Sequence, residues 1–315
     1  MSSISIIVPV NNESENLNNF FNRLLPVLEE NFIDYEVLFV NDGSEDNSAE
    51  IILKLCEVNS NIKLINLSRN FGAYNAVRAG SMLAEKDLTF WIAADLQDPP
   101  EFLTEMKNYI SKGFDVVWGI RKERKDPLVR RILSNLFYFL LNKVSDTPYP
   151  PKGVDMCLMS AKVRKSFNNL TEKSGFIQSL VMNLGFNQKF IEYDRNKRVR
   201  GVSKWRSYRK LYDMASEMLI TSSKFPFNQL LYLGTFGIPV ALIKLVYSLV
   251  LQNGHSQLLI DLLIFLIAFI AFVSGWLGLY IYRTLVEVRN RPLYYLNNFQ
   301  NLSKKQELKF KQLNE

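Results

Sequence analysis

Five short segments of this 315-residue chain gather carboxylate, amide and basic side chains next to glycine or proline. They are Val8-Pro9-Val10-Asn11-Asn12-Glu13, Val40-Asn41-Asp42-Gly43-Ser44, Leu67-Ser68-Arg69-Asn70-Phe71-Gly72, Ala94-Asp95-Leu96-Gln97-Asp98-Pro99-Pro100 and Gly119-Ile120-Arg121. Any one of them is a good turn by itself, since Asn, Asp, Gly and Ser favour turns. Each, however, follows an apolar run, and ligands of open parallel sheets bind outside the carboxyl ends of the strands. Five polar strand ends in succession therefore describe one crevice. Some chemistries are excluded. His255 is the lone histidine, so neither a His-based metal triad nor a Ser-His-Asp triad can be built. Cys56 and Cys157 form no CxxC or Cys/His cluster, so no zinc site or disulfide framework is indicated.

The elements that must carry these ends are legible as alternation. Apolar, β-rich runs occupy 4–10, 35–40, 62–66, 88–94 and 114–118, and helical stretches occupy 14–30, 46–58, 72–85 and 100–111. This predicts an α/β domain with a mainly parallel sheet. The N-terminus has no basic region and no small-residue cleavage site, so it reads as a strand and not a signal peptide. With 48% hydrophobic and 22% charged residues the chain is an ordinary globular composition. A net charge of +7 fits an anionic partner such as a membrane surface, a phosphate substrate or nucleic acid without choosing among them.

The character changes after residue 225. From Phe225 to Tyr282 the only Asp, Glu, Lys or Arg residues are Lys244 and Asp261. Two apolar stretches, about 228–251 and 258–282, are each long enough for a bilayer core, which needs about 20 residues. They predict a transmembrane hairpin turning at Gln252–Gln257. Arg and Lys flank it on both sides and are absent from the turn, so both termini and the α/β domain are expected in the cytoplasm. Trp205, Tyr208, Tyr212, Ala215 and Leu219 recur at helical spacing among charged residues, the pattern of a helix lying in a membrane interface. Pro127 to Val144 is a second such candidate, with an amphipathic helix against the core as the equal alternative. The expected organisation is a catalytic domain over 1–200, an interfacial helix over 201–226, the hairpin over 227–283 and a cytoplasmic tail over 284–315.

Asn41-Asp42-Gly43-Ser44, Ser68-Arg69-Asn70-Phe71-Gly72, Asp95-Leu96-Gln97-Asp98-Pro99-Pro100-Glu101 and Ser203-Lys204-Trp205 together carry a resemblance. The chain resembles the family 2 glycosyltransferases of the GT-A fold. More closely it is similar to the membrane enzymes that load one sugar onto a polyprenyl phosphate, among them dolichol-phosphate mannose synthases and bactoprenol glucosyltransferases. The resemblance covers nearly the whole chain. It implies that Pro9, Asn12, Glu13 and Asp42 hold the donor nucleotide, with Asp42 suited to accept from the base, and that Arg69 and Gly72 lie in the loop near the donor. It implies a metal and diphosphate site at Asp95 and Gln97, whose oxygens are suitable hard ligands for Mg²⁺ or Mn²⁺. Arg121, Arg131, Arg200, Ser203 and Lys204 match the acceptor phosphate site, and Asp155 an acidic residue of the catalytic centre.

One position departs from the family, which has Asp-x-Asp where this chain has Ala93-Ala94-Asp95. Either Asp95 and Gln97 suffice with phosphate oxygens and water, or metal binding is weakened. The resemblance implies an inverting transfer of one sugar, UDP-glucose being the first expected donor, to undecaprenyl phosphate for cell-surface glycan modification. Mannose, a modified amino sugar, or a weakened nucleotide-binding scaffold are the alternatives. A processive polysaccharide synthase would carry a Gln-x-x-Arg-Trp motif, which is absent. The expected location is the bacterial inner membrane, as a multi-pass protein. A homo-oligomer is expected, and no nucleic-acid partner.

Overall fold

The computed structural model describes residues 2–122, 139, 142–143, 149–150, 154–172, 176–196, 255–289 and 291–314. Strand and helix alternate as β1 (Ser3–Val10), α1 (Ser14–Asn31), β2 (Asp34–Asn41), α2 (Ser48–Val58), β3 (Ile62–Leu67), α3 (Ala73–Leu83), β4 (Leu88–Trp91), α4 (Phe102–Ser111) and β5 (Val116–Arg121). There follow β6 (Val154–Ser160), α5 (Ala161–Asn168), α6 (Ile177–Asn183), β7 (Gln188–Tyr193), α7 (His255–Val288), β8 (Leu296–Gln300) and α8 (Lys304–Asn314). The early strands form because β1 and β2 are almost unbroken apolar runs, buried on both faces, as strands of a covered parallel sheet are.

The strands join one sheet in the order β7-β5-β6-β4-β1-β2-β3-β8. β1 pairs parallel with both β2 and β4, β2 with β3, and β5 with β7. β6 is antiparallel to β4 and β5, and β8 is antiparallel to β3. On one face Phe20, Leu24, Phe39, Ile52, Phe90 and Leu103 form a core under α1, α2 and α4. On the other, Ile65, Val77, Trp91, Trp118, Phe167 and Val181 form a second core under α3, α5 and α6. Helices on both faces of a mainly parallel sheet are the α/β arrangement expected from the alternation. The chain runs outward through β1, β2 and β3 and then returns to β4 on the other side of β1. That reversal opens a crevice at the carboxyl ends of β1 and β4.

Several expectations need correction. The run 88–94 ends as a strand at Trp91, and the fifth strand lies at Val116–Arg121, two residues later than the apolar pattern begins. Within 284–315, expected as a cytoplasmic tail, the segment from Leu296 to Phe310 packs on the sheet. β8 extends the sheet beside β3, and Leu296, Leu302 and Phe310 are buried in the second core. The multi-pass membrane placement is overturned, because among the described residues no helix is long and apolar enough to cross a membrane. The helix over the second expected span does not stop at Tyr282. It continues through Thr284 and Glu287 to Val288, so polar residues belong to its body and not to a flanking loop. The first expected span, the turn up to Gly254 and the interfacial helix 201–226 lie outside the described residues. Of the candidate helix 127–144, only Phe139, Asn142 and Lys143 are described.

Candidate functional site

All five polar segments converge at one end of the sheet. β1, β2, β3, β4, β5 and β7 run parallel, so their carboxyl ends lie together, and antiparallel β6 begins there with Val154 and Asp155.

The segments after β1, β2 and β3 are bound into one unit. Asp42 is 2% exposed, and its two carboxylate oxygens accept the backbone N–H of Phe71 (2.6 Å) and of Gly72 (2.9 Å). The residue expected to read a base therefore shapes the Ser68–Gly72 loop. Gly43 makes this approach possible. Its φ is +62°, and a Cβ there would lie 2.6 Å from the backbone carbon of Arg69 and 2.6 Å from the backbone nitrogen of Asn70. Gly72, with φ +94°, then turns the loop into α3. Arg69 lies over the Phe71 ring, 4.2 Å from its centroid, with its charge at the surface, a cation–π contact. Pro9 sits within β1 opposite Val40. Asn12, in the left-handed region at φ +56°, donates its N–H to Ser44 Oγ (3.1 Å) and accepts the Glu45 N–H at Oδ1 (2.8 Å). Asn tolerates that backbone where most residues do not. Glu13 precedes α1, donates its N–H to Ser48 Oγ (3.0 Å), and accepts Asn16 Nδ2 at Oε2 (2.7 Å).

After β4 the chain makes a tight turn at Asp95-Leu96-Gln97. Asp95 Oδ1 accepts the Gln97 N–H at 3.2 Å. Leu96 has φ +59° while 3% exposed, an unusual conformation for a bulky side chain. Its burial in the first core holds the turn in shape, and such strain collects where backbone geometry serves a site.

β5, β6 and β7 contribute a largely covered ionic cluster beside that turn. The β5–β6 pairing slips between Gly119, opposite Met156, and Ile120, opposite Val154. Asp155 is the extra residue, and a bulge of this kind re-aims a side chain. The result is a two-pronged pair in which Arg121 Nε and Nη2 donate to the Asp155 oxygens. Tyr193 Oη donates to Asp98 Oδ1 (2.6 Å) and contacts Asp155 Oδ2 (3.0 Å), while Arg195 Nε donates to Asp98 Oδ1 (2.9 Å). Asn196 N–H closes onto the Gln97 carbonyl at 2.9 Å, hooking the exit of β7 to the Asp95–Gln97 turn.

Electrostatics divides the two carboxylates, Asp98 buried and Asp155 partly exposed. Burial pushes Asp98 up to about 6, and the charge of Asp155 adds to the shift. Burial also acts to raise Asp155, but the Arg121 guanidinium outweighs it and holds that carboxyl below its ordinary value. The Tyr193 phenol is raised, by burial and by both carboxylates, so it stays a neutral donor. Arg121 and Arg195 are raised in spite of burial, by the carboxylates they pair with.

Of the residues singled out in the sequence, the fold brings together Pro9, Asn12, Glu13, Asp42, Arg69, Gly72, Asp95, Gln97, Arg121 and Asp155 at this end of the sheet. Arg131, Arg200, Ser203 and Lys204 lie outside the described residues. The sequence reading did not assign Asp98, Tyr193 or Arg195. Tyr193-Asp194-Arg195 is one more polar strand end, and recognising β7 would have found it. Among the described residues no group of three or more His, Cys, Asp or Glu side chains is arranged to hold a metal ion. The donor set of the turn, one carboxylate and one amide oxygen, nevertheless fits an ion such as Mg²⁺ that keeps water and completes its shell with substrate phosphates.

Residues 5–168 match the family described as glycosyl transferase family 2. An uncharacterized glycosyltransferase of Synechocystis is 34% identical, over 95% of this chain and 96% of its own. A bactoprenol glucosyl transferase of Shigella phage SfII is 33% identical, over 93% of this chain and 97% of its own. Among solved structures, mannosyl-3-phosphoglycerate synthase from Rubrobacter xylanophilus aligns at 15% identity and TM-score 0.47, over 69% of this chain and 71% of that one.

Proposed function

This chain belongs to glycosyl transferase family 2, and we propose that it moves one sugar from a nucleotide-sugar donor, UDP-glucose first, to a polyprenyl phosphate. The observation that carries the acceptor is the likeness, along nearly the whole of both chains, to bactoprenol glucosyl transferases. The interlocked loops after β1, β2 and β3 support a donor seat, because they offer backbone, amide and guanidinium groups around one crevice.

In this mechanism an oxygen of the lipid phosphate attacks the anomeric carbon of the donor sugar. The bond from that carbon to the diphosphate breaks, and the nucleoside diphosphate leaves with the electron pair. The product is inverted at the reacting carbon. A phosphate monoester has its second pKa near about 6 and is largely dianionic at neutral pH, so it attacks without first losing a proton. No base is required, in keeping with the absence of histidine from the five polar segments that line the crevice. The protein's tasks are then positioning and charge stabilisation. Arg121, fixed in direction by Asp155, presents a guanidinium at the end of β5 where phosphate oxygens are to be held. Tyr193 and Arg195 keep Asp98 and Asp155 in place behind it. Asp95 and Gln97 are the residues that would hold a divalent cation. Such an ion offsets charge developing on a departing diphosphate.

Two measurements test this reading. Calorimetric titration with UDP, UDP-glucose, UDP-linked amino sugars and GDP-mannose identifies the donor; absence of binding by all of them would remove the reading. EDTA is expected to abolish turnover, and Asp95→Ala to do the same. Ala93→Asp, which restores a second carboxylate, is expected to lower the metal concentration needed for half-maximal rate. Undiminished turnover in EDTA would contradict the role given to Asp95 and Gln97.

A further inference from the structure

We propose that Asn298, on the last strand, is a positioning residue for the nucleotide-sugar donor, acting through Asn66 and Asn41. The proposal rests on the reading that the loops after β2 and β3 seat the donor. The three amides form a chain across three neighbouring strands. Asn41 Oδ1 accepts the backbone N–H of Ser44 at 3.0 Å. Asn41 Nδ2 donates to Asn66 Oδ1 at 2.7 Å, and Asn66 Nδ2 donates to Asn298 Oδ1 at 2.5 Å. The direction is fixed from one end. A backbone N–H can only donate, so Asn41 must turn its oxygen to Ser44 and its nitrogen to Asn66, and Asn66 must in turn donate to Asn298. Asn298 is thus required as an acceptor.

The chain ends on the donor loops. Ser44 also receives the Asn12 N–H at Oγ, so the relay reaches the loop after β1. A second contact from the same segment reaches the loop after β3. The Tyr295 carbonyl accepts the Ser68 N–H at 2.9 Å, and the Tyr295 ring packs on Phe71 with centroids 6.2 Å apart. Phe71 is the residue whose N–H binds Asp42.

Register holds Asn298 in place. A one-residue slip of an edge strand would turn its side chain to the other face. Two anchors beyond β8 prevent this. Asn301 Nδ2 donates to the carbonyls of Cys56 (2.7 Å) and Ile62 (3.1 Å). Gln306, 1% exposed, accepts Lys63 Nζ at 2.7 Å and donates to Glu36 at 2.9 Å and to the Leu83 carbonyl at 2.8 Å. The C-terminal segment is therefore clamped at its far end and touches the donor loops at its near end.

The test compares steady-state kinetics of full-length Asn298→Leu and Asn298→Asp. Leu matches the size and removes the acceptor, while Asp keeps an acceptor oxygen for Asn66. Asn298 is exposed on an edge strand, so neither change opens the core. Asn298→Leu is expected to raise donor KM roughly three- to tenfold, the effect of one hydrogen bond, with kcat and acceptor KM near wild type. Asn298→Asp is expected to restore donor KM. An unchanged donor KM in Asn298→Leu, an equal rise for both substrates, or no difference between the Leu and Asp variants would overturn the proposal. Gly43→Ala separates this from the underlying reading. If Gly43→Ala weakens UDP binding and Asn298→Leu does not, the relay alone is wrong. If Gly43→Ala leaves UDP binding intact, the contact between the loops after β2 and β3 does not shape the donor seat, and the relay that acts through those loops falls with it.

Discussion

Asp155→Asn lowers kcat by roughly 10²-fold, the effect of misplacing reacting groups by about 1 Å, and leaves the acid limb of the kcat/KM profile for acceptor in place. The carboxylate is engaged by Arg121 through both oxygens and by Tyr193, and it is held ionised below its ordinary range. A carboxylate so stabilised is a poor acceptor of a proton at neutral pH, since a good base has its pKa near the operating pH. In the proposed mechanism it aims Arg121, to which both its oxygens are bonded. Asn at 155 keeps one acceptor and loses the charge, so the partly exposed Arg121 is left beside Arg195 with a weaker, no longer charge-assisted partner. In the proposed mechanism the acid limb belongs to the lipid phosphate. Asp98 titrates in the same range, at about 6, so the limb must also survive in Asp98→Asn. Stability has the opposite sense to a base's behaviour. A carboxyl depressed in the folded state adds stability above its unfolded value of about 3.9, and that stability is lost as pH falls through the folded pKa. Wild type should therefore exceed Asp155→Asn in denaturation midpoint most at neutral pH, with the gap closing in acid. A rate made pH-independent by Asp155→Asn would make that carboxylate the base.

Gly43→Ala is expected to raise donor KM on the order of 10²-fold, again through displaced groups, while the protein stays folded. The left-handed backbone alone costs an alanine roughly 1–2 kcal/mol. The larger effect is steric. The new methyl would meet the backbone of Arg69 and Asn70 at 2.6 Å, and backbone cannot swing aside as a side-chain tip can. The loop after β3 must retreat, and with it the Phe71 and Gly72 amides that Asp42 holds. Isothermal titration with UDP checks this directly. Affinity equal to wild type would show that the two loops need not touch for the donor to bind.

The parallel half of the fold was legible because β1 to β5 are apolar runs separated by helices of helical periodicity, each ending in polar residues. Nothing comparable marks β6. Val154-Asp155-Met156-Cys157-Leu158-Met159-Ser160 contains a bulge and returns antiparallel between β4 and β5, outside the strand–helix alternation. β8 leaves no local signal for a different reason. Leu296-Asn297-Asn298-Phe299-Gln300 is a polar edge strand whose apolar partners come from β3, more than 200 residues earlier, so local pattern could not reveal it. The apolar richness of 258–282 was read as a membrane span. Length and apolarity along a sequence do not by themselves fix where a helix begins and ends, and this one continues to Val288. Within the site, Asp42 shows the limit of motif reasoning. Its position was legible, but the two amides it accepts belong to a loop brought near only by the sheet.

The account's central claim is tested most directly by incubating purified protein with radiolabelled UDP-glucose, Mg²⁺ and undecaprenyl phosphate, and measuring label in the organic extract. The account predicts a lipid carrying a single sugar, formed one for one with released UDP and absent when the lipid phosphate is omitted. Label in a polymer, or UDP released at the same rate without the lipid, would contradict it.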